Sequence, residues 1–329
     1  IGTWNVEGLG EGDDHGSTKI CEIQRHMVTY DIAILCMQET HVAGAVKITT
    51  AEGYHVILSG STDTTKEYAG VGFIVAPWAW KHIISYKQVN NRIASVTVKV
   101  EGGSMAVISA YAPPSTPTHA YDERQRYFVE LGDAMENLSV HGPKFIFGDM
   151  NARILRRLPH EESIVGPGVF GSERAEIAKQ SNRFLLMELC HRKRMNLANT
   201  MMVRPSQELA TYRDLGTKTT DAVTYPANAQ LDYVLAEMAW AHCVTSTVVG
   251  RFAPLASHHY LLMAFLDVAV PKTERSTKIE KPDRTALANN ELAAKFADDV
   301  GAELKFLAHK YGTIDDPNIY QARFEAAFK

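Results

Sequence analysis

The sequence predicts an α/β protein in which stacked mixed β-sheets are covered by helices. Strand-like segments recur along residues 1–270, and helical segments are interspersed among them. Residues 92–100 include alternating apolar and polar side chains, the pattern of a strand with one buried face. Residues 144–148 contain a continuous apolar run, which is typical of a strand buried on both faces. Strands of these two kinds, with amphipathic helices between them, favour layers of sheet and helix.

Short apolar, β-branched runs identify the predicted strands. They cover residues 1–6, 32–38, 54–58, 70–76, 92–100, 105–111, 144–148, 195–199, 231–236, 243–249 and 260–268. Helices are predicted at 18–30, 122–138 and 173–193, because apolar residues recur there at helical spacing. Ser17 is a suitable N-cap for the first of these helices.

The composition changes after residue 270, and we expect a domain boundary there. Residues 1–270 form the predicted α/β domain, and residues 271–284 are polar and charged, as in a linker. Residues 285–309 predict a helix with one apolar face, and residues 318–328 a second, shorter helix. We interpret 271–329 as a linker and helical connector to a missing downstream module.

The bulk composition is that of an ordinary globular protein, with 45% hydrophobic and 22% charged residues. No apolar run approaches the roughly 20 residues that span a bilayer, and no signal peptide is recognisable. We therefore expect an intracellular protein. Because Ile1 is not a start methionine, we expect a fragment of a longer reading frame. The four cysteines form no Cys-x-x-Cys pair and favour buried free thiols.

The net charge of −4 argues against a chain that binds nucleic acid through its bulk charge. Two local basic clusters partly offset it, either as a rim that contacts a few phosphates or as solvated helix faces. The clusters are Arg153, Arg156 and Arg157, and Arg192, Lys193 and Arg194.

Four polar motifs lie next to strand-like runs, where layered α/β proteins usually hold catalytic side chains. They are Trp4-Asn5-Val6, Met37-Gln38-Glu39-Thr40, Gly148-Asp149-Met150-Asn151-Ala152 and Ser257-His258-His259. Together they supply carboxylates, carboxamides and a histidine. That set suits a hard, oxygen-liganded cation and an activated water, and it does not suit zinc.

These motifs resemble the endonuclease/exonuclease/phosphatase superfamily, and most closely the apurinic-type endonuclease domain of non-LTR, LINE-type retrotransposons. Two further signatures lie between them, Ala110-Tyr111-Ala112-Pro113 and Leu231-Asp232-Tyr233-Val234-Leu235. The six motifs occur in the family's order, and the resemblance runs from Ile1 to about Val268. It implies a four-layer α/β/β/α sandwich of the deoxyribonuclease I-like class, with the active site at one end of the two sheets.

The resemblance implies a Mg²⁺ cofactor, with Mn²⁺ as a substitute, held by Glu39 with Asn5 helping to position the ion or its water. An acid after a buried strand is costly unless a cation meets it. Asp149 would orient and deprotonate the attacking water. Asn151 would contact the phosphate or the water if the chain stays extended there. The alternative for Asn151 is an Asx-type turn.

Three further site residues follow from the resemblance. Tyr111 would contact the scissile phosphate, and the alternative is an aromatic core residue. Thr211 would contact the phosphate or the hydrogen-bond network. Asp232 lies inside an apolar strand and must be paired, either with the site or in a purely structural role.

His259 is the expected phosphate-contacting histidine, and here the sequence departs from the family's Ser-Asp-His triplet. His258 stands where the family has the aspartate of this triplet. In the family, that aspartate is expected to accept a hydrogen bond from the histidine. Its loss predicts a lowered pKa for His259, a looser ring and slower turnover. The alternative is that Asp232 or another acid takes over the orienting role.

The function implied is a phosphodiesterase, most simply an endonuclease that nicks DNA to leave a 3′-hydroxyl. In a retrotransposon that end primes target-site reverse transcription, with element RNA and a reverse transcriptase module as partners and a nuclear location. Two alternatives stay open. One is a phosphatase or deadenylase of the same superfamily. The other is a catalytically impaired DNA-binding module, because of His258.

Overall fold

Seven strands form the first of two mixed β-sheets. In spatial order they are β14 (Val244–Gly250), β15 (Leu261–Leu266), β1 (Gly2–Asn5), β2 (Ile34–Gln38), β5 (Val71–Val75), β4 (His55–Ser59) and β3 (Ala45–Thr49). Six strands form the second sheet. They are β10 (Met195–Leu197), β13 (Asp232–Glu237), β9 (Lys144–Asp149), β8 (Gly103–Tyr111), β7 (Ile93–Val100) and β6 (Ile83–Asn90). A separate short pair contains β11 (Tyr212–Arg213) and β12 (Asn228–Ala229).

Helices cover the outer faces of both sheets. They are α1 (Ser17–Thr29), α2 (Pro77–Trp80), α3 (Tyr121–Glu136) and α4 (Asn182–Lys193). Apolar side chains of α1 join the core of the first sheet, whereas α3 and α4 share a second core with the outer face of the second sheet. The predicted four-layer α/β/β/α sandwich is therefore confirmed.

This computed structural model describes residues 1–9, 17–61, 69–115, 119–172, 179–213 and 228–270, with individual residues between 173 and 178 and between 291 and 305. The chain divides into two compact units, Ile1–Lys272 and Thr273–Lys329. Within the predicted helix 285–309, the described residues are helical. The predicted linker and the helix at 318–328 lie outside the described residues. None of the described helices is both long enough and apolar enough to cross a bilayer.

A buried polar link joins the two sheets close to the ends of their strands. Gln38 of β2 donates to the Ser109 hydroxyl of β8 at 3.1 Å, and Ser109 donates back to the Met37 carbonyl at 3.0 Å. The remaining Gln38 oxygen accepts from the Thr3 hydroxyl at 3.0 Å. Because the polar atoms of Gln38 and Ser109 are satisfied, they fix how the sheets face each other at little cost.

The strand directions bring the sequence motifs to one edge of the sandwich. β1 runs parallel to β2 in one sheet, and β8 runs parallel to β9 in the other. Asn5 and Asp149 are hydrogen-bonded to each other, so the carboxyl ends of both pairs lie at that edge. β13 runs antiparallel to β9 and pairs Asp232 with Asp149. β15 runs antiparallel to β1, so the segment before Leu261 reaches the same place.

Several local predictions were incomplete or wrong. β3 and β6 were missed because most of their residues are exposed and lack a buried alternating face. The third predicted helix begins at Asn182 instead of residue 173, since Gln180 has a φ of 55° and cannot continue a right-handed helix. The strand predicted at 195–199 ends at Leu197, where a 3₁₀ turn follows.

Gly148 permits a close strand contact, and its replacement tests the register beside Asp149. A Cβ at Gly148 would lie 1.9 Å from the Ala110 carbonyl oxygen, so strand β9 would have to move. We expect Gly148→Ala to lower the free energy of unfolding by about 1–3 kcal/mol. Gly250→Ala is the control, because its nearest contact is an ordinary 3.4 Å. Equal stability of the two variants in urea titrations would contradict this packing.

Candidate active site

The carboxyl ends of the central strands place a buried polar cluster at one edge of the sandwich. Its members are Asn5, Glu39, Asp149, Asp232 and His259. Asn5, Asp149, Asp232 and His259 are buried, whereas the side chain of Glu39 is 20% exposed. The four motifs of the sequence therefore meet in one site that opens to solvent near Glu39.

Asn5 bridges two carboxylates at the end of β1. Its Nδ2 donates to Glu39 Oε1 at 2.8 Å and to Asp149 Oδ2 at 3.0 Å. Its Oδ1 accepts the backbone N–H of Glu7 at 3.1 Å, which sets the orientation of the amide. Asn5 therefore presents its amide nitrogen to both acids and orients them.

Glu39 follows β2 with a left-handed backbone, at φ 51°, that turns its carboxylate back into the site. Burial alone would raise the pKa of Glu39, but hydrogen bonds from His41, Asn5 and Tyr111, with the charge of His259, hold it below the usual value. Glu39 is therefore an ionised acid at neutral pH, as a ligand for a hard cation must be.

Tyr111 lies at the end of β8 and is nearly buried. Its hydroxyl hydrogen-bonds Glu39, and its ring packs against the Arg92 guanidinium at 4.9 Å. Burial, with the charges of Glu39 and Asp149, raises the pKa of Tyr111 well above its usual range. The phenol is thus a neutral donor next to the acid.

The segment after Asp149 turns and is not extended. Asn151 has a φ of 45°, and its backbone N–H donates to Asp149 Oδ1 at 2.8 Å. The Asn151 side chain donates to the Ala112 carbonyl at 2.8 Å. This is the Asx-type alternative, and the extended geometry that would place Asn151 beside Asp149 is wrong. Asn151 fixes the Asp149 carboxylate through its backbone.

His259 lies between two buried carboxylates. Its Nδ1 is 2.9 Å from Asp232 Oδ2, and its Nε2 is 3.7 Å from Asp149 Oδ2. Burial alone would lower the pKa of His259, but Asp232 and Asp149 raise it to about 9. Burial, with repulsion from Asp232 and Glu39, raises the pKa of Asp149 to about 7 against the opposing charge of His259.

The hypothesis that His258 leaves His259 without an orienting carboxylate is therefore wrong. Asp232 accepts the hydrogen bond from Nδ1, as in the alternative that the sequence left open. Consequently the pKa of His259 is raised, not lowered. The neighbouring strand β13, not the neighbouring residue in sequence, supplies the acid.

His258 and Ser257 fasten the loop that carries His259. The His258 Nδ1 lies 2.8 Å from Glu7 Oε2, and its backbone N–H donates to the same carboxylate at 3.1 Å. The Ser257 hydroxyl donates to the Asn5 carbonyl at 2.7 Å and accepts the N–H of His259 at 3.0 Å. Both residues therefore tie this loop to the end of β1.

Thr211 and Trp4 position the groups around His259. The Thr211 hydroxyl accepts the backbone N–H groups of Leu231 and Asp232, each at 3.0 Å. The Trp4 indole donates to the His259 carbonyl at 2.9 Å. Thr211 is thus a member of the hydrogen-bond network, one of the two roles considered for it.

Sequence reasoning missed Glu7, Lys19, Arg92 and His41. Glu7 stands two residues after Asn5, a signal that was available from the sequence. Lys19 could not be recognised from the sequence, because its role depends on the fold. Its ammonium donates to the carbonyls of Val6, Gly8 and Ala256.

The donor set fits a divalent cation. Three carboxylates converge here, from Glu39, Asp149 and Asp232. Among the described residues, the buried Asp232 Oδ1 has no hydrogen-bond partner. Asp149, Asp232 and His259 offer ligand atoms within 4.8 Å of one another. Both ring nitrogens of His259 already face carboxylates, so we favour the more exposed Glu39 side for the ion.

The sequence matches known proteins over most of its length. A model described as the endonuclease/exonuclease/phosphatase family matches residues 2–252. Craniofacial development protein 2 of Bos taurus is 27% identical over 282 residues, which is 85% of this chain and 43% of that protein. The same protein of Tragulus javanicus is 27% identical over 278 residues, 84% of this chain and 44% of that protein. The chain thus spans less than half the length of the curated relatives it matches.

Solved structures share the two-sheet sandwich. The catalytic domain of Xenopus laevis APE2 has a TM-score of 0.58 at 15% identity, covering 83% of this chain and 94% of that one. An AP endonuclease from Archaeoglobus fulgidus has a TM-score of 0.57 at 18% identity, covering 82% and 99%. The endonuclease domain of TRAS1, a telomere-specific non-LTR retrotransposon, has a TM-score of 0.50 at 12% identity, covering 83% and 98%. At these identities the likeness shows the fold.

The pKa of His259 tests the arrangement with Asp232. In metal-free protein, NMR titration of the ring should give a pKa near 9, and Asp232→Asn should lower it. Because the folded pKa lies above the unfolded value of about 6.5, this pairing stabilises the fold fully below pH ~6.5. The stabilisation is lost as the pH rises through about 9.

Urea unfolding at several pH values gives the second readout. The difference in stability between the wild type and Asp232→Asn should shrink as the pH rises through that window. An unchanged His259 pKa in Asp232→Asn would contradict the arrangement.

Proposed function

We propose that this chain, which belongs to the endonuclease/exonuclease/phosphatase family, is a divalent-metal-dependent endonuclease that nicks one strand of DNA. The products would be a 3′-hydroxyl and a 5′-phosphate. The observation that carries the proposal is the buried row Asp232–His259–Asp149 beside the ionised Glu39. A cationic imidazolium, a carboxylate base and an acid able to hold a cation are the groups that phosphodiester hydrolysis needs.

Asp149 is the proposed general base. Its pKa of about 7 lies near neutral pH, where a base is most effective. Asn5 and the backbone of Asn151 hold its two oxygens, so the carboxylate is oriented before substrate binds. Asp149 would take a proton from the attacking water as the water oxygen bonds to phosphorus. The bond from phosphorus to the 3′-oxygen breaks, and that oxygen leaves with the electron pair. It takes a proton from solvent water, and Asp149 later returns its proton to solvent, so protons balance.

His259 is proposed to stabilise the charge that develops on the phosphoryl oxygens. Its Nδ1 is held by Asp232, and its pKa of about 9 keeps the ring cationic at neutral pH. Its Nε2 is 3.7 Å from Asp149, too far for a hydrogen bond. The Nε2–H is therefore available to donate to a phosphate oxygen. The neutral Tyr111 hydroxyl would provide a second donor by turning from Glu39 to the phosphate.

Glu39 is the residue that would hold the cation, with Asn5 fixing the direction of its carboxylate. Mg²⁺ is the proposed ion, and Mn²⁺ should substitute for it, because the donors are oxygens. When bound, a divalent cation supplies charge neutralisation at the phosphoryl group.

We also propose the finer assignment to a non-LTR, LINE-type retrotransposon. The sequence motifs and the fold shared with the TRAS1 endonuclease domain support it. On this proposal residues 1–270 are the endonuclease and 271–329 connect it to a reverse transcriptase module. The 3′-hydroxyl would prime copying of the element RNA in the nucleus. The curated relatives have another name, craniofacial development protein 2, so this assignment rests on motifs and fold.

Nicking of supercoiled plasmid tests the activity. We expect Mg²⁺-dependent conversion of supercoiled to open-circular DNA that EDTA abolishes. Asp149→Asn removes the base while keeping the shape of the side chain, so the rate should fall by about 10²–10⁴. Extension of the nick by a DNA polymerase would identify the 3′-hydroxyl.

Two other results would favour the alternative functions. A folded wild type that binds DNA without nicking it would support the catalytically impaired DNA-binding module, and phosphate release from inositol phosphates would support the phosphatase.

Metal titration tests the location of the cation. We expect Glu39→Gln to weaken Mn²⁺ binding by at least about tenfold, because it removes the charged ligand. Asp232→Asn should weaken it less. Electron paramagnetic resonance of free Mn²⁺ measures both affinities without any turnover. A larger loss of Mn²⁺ affinity in Asp232→Asn than in Glu39→Gln would place the ion in the Asp149, Asp232 and His259 cluster.

A further inference from the structure

We propose that a surface next to His259 grips duplex DNA beside the scissile bond. This surface, here called the Tyr260 face, consists of Arg213, Arg251, Phe252 and Tyr260. The proposal rests on the proposed function and deepens it by naming residues that bind the substrate. On this surface the two arginines would contact backbone phosphates, and Phe252 would pack into the groove against the sugars or bases.

Two guanidinium groups flank one aromatic ring on this face. Arg213 and Arg251 each lie 5.3 Å from the centre of the Tyr260 ring. Within the described part of the chain, neither forms an ion pair with a carboxylate, and the buried Nε of Arg213 has no hydrogen-bond partner. Arg251 donates to the carbonyl of Gln207. Two like charges around one ring, with no carboxylate of the described residues paired to them, favour an anionic ligand.

The face is joined directly to the candidate catalytic histidine. Tyr260 follows His259 in the chain, and its N–H donates to the Thr211 carbonyl at 2.7 Å. The N–H of Arg213 donates to the His258 carbonyl at 2.9 Å. A phosphate held by these arginines would therefore belong to the same strand region as the phosphate at His259.

Phe252 protrudes from an anchored loop. Its surface is 94% exposed, the highest value among the large hydrophobic residues described. The loop around it is held at three points: the Pro254 carbonyl lies 2.9 Å from the His26 ring, the Ala256 carbonyl accepts from Lys19, and Ser257 donates to Asn5. A fixed loop that exposes an aromatic side chain next in sequence to Arg251, itself packed on Tyr260, suits insertion into a DNA groove.

The basic cluster at 192–194 is not part of the proposed DNA-contacting surface. It ends α4, about 15 Å along the helix from Asn182. The Asn182 amide, at the other end, donates to the carbonyls of Pro113 and Met150 beside the site. Arg192→Gln is therefore a matched charge control. Phe265→Ala is the matched aromatic control, since Phe265 is half exposed on β15 and lies about 20 Å along the strand from His259.

Binding and cleavage assays separate this role from a structural one. In an Asp149→Asn background, fluorescence anisotropy with a labelled duplex measures affinity without cleavage. Arg213→Gln and Arg251→Gln should each weaken binding and reduce the slope of log affinity against log salt by about one. Phe252→Ala should weaken binding by about 5-fold or more. The two control variants should bind as the parent does.

Substrate comparison gives the second readout. In the active protein, the face variants should lose at least about tenfold more kcat/KM on duplex DNA than on bis(4-nitrophenyl) phosphate, which is too small to reach the face. Equal losses on both substrates, or a salt slope unchanged from the controls, would overturn the proposal. If the face variants lost as much kcat/KM on single-stranded DNA of the same sequence as on the duplex, the proposed preference of the Tyr260 face for duplex DNA would be overturned. A wild type that cleaves neither substrate would defeat the proposed function, while the anisotropy series would still decide the Tyr260 face.

Discussion

The burial of two carboxylates opposite each other is the constraint on which the site depends. Asp149 and Asp232 are direct partners in the β9–β13 pairing, and both are buried. Like charges in that position destabilise a sheet unless a cation lies between them. His259 supplies that charge from a loop of the other sheet. The hydrogen bonds of Thr211, Ser257 and Trp4 then serve to keep the imidazolium in place.

The same constraint explains how the two sheets cooperate. β9 and β13 deliver the acids, whereas β1, β2 and the loop before β15 deliver Asn5, Glu39 and His259. The buried link between Gln38 and Ser109 fixes the relative position of the sheets directly behind the site. Hydrolytic chemistry at this edge therefore requires the sandwich as a whole, because no single sheet contains the complete set of groups.

Most of the fold could be predicted from the sequence, because the central strands are continuous buried runs with clear composition. The exposed edge strands β3 and β6 could not, since their side chains face solvent and show no period. The residue types of the site were also predictable from motifs at strand ends. Which acid pairs with His259 was left open by the sequence. The acid that holds His259 comes from 27 residues earlier in the chain, through sheet topology. For Asn151 the sequence left an extended chain and an Asx-type turn open, and the left-handed backbone decides for the turn.

Single-turnover cleavage of a duplex oligonucleotide by two variants tests the central claim most directly. If His259 acts through its pairing with Asp232, Asp232→Asn should slow cleavage by at least about 100-fold. His258→Ala removes the imidazole contacts to Glu7 and Tyr212 but keeps the backbone N–H bond to Glu7, so it should stay within about tenfold of the wild type. The opposite order, with His258 essential and Asp232 dispensable, would contradict the account.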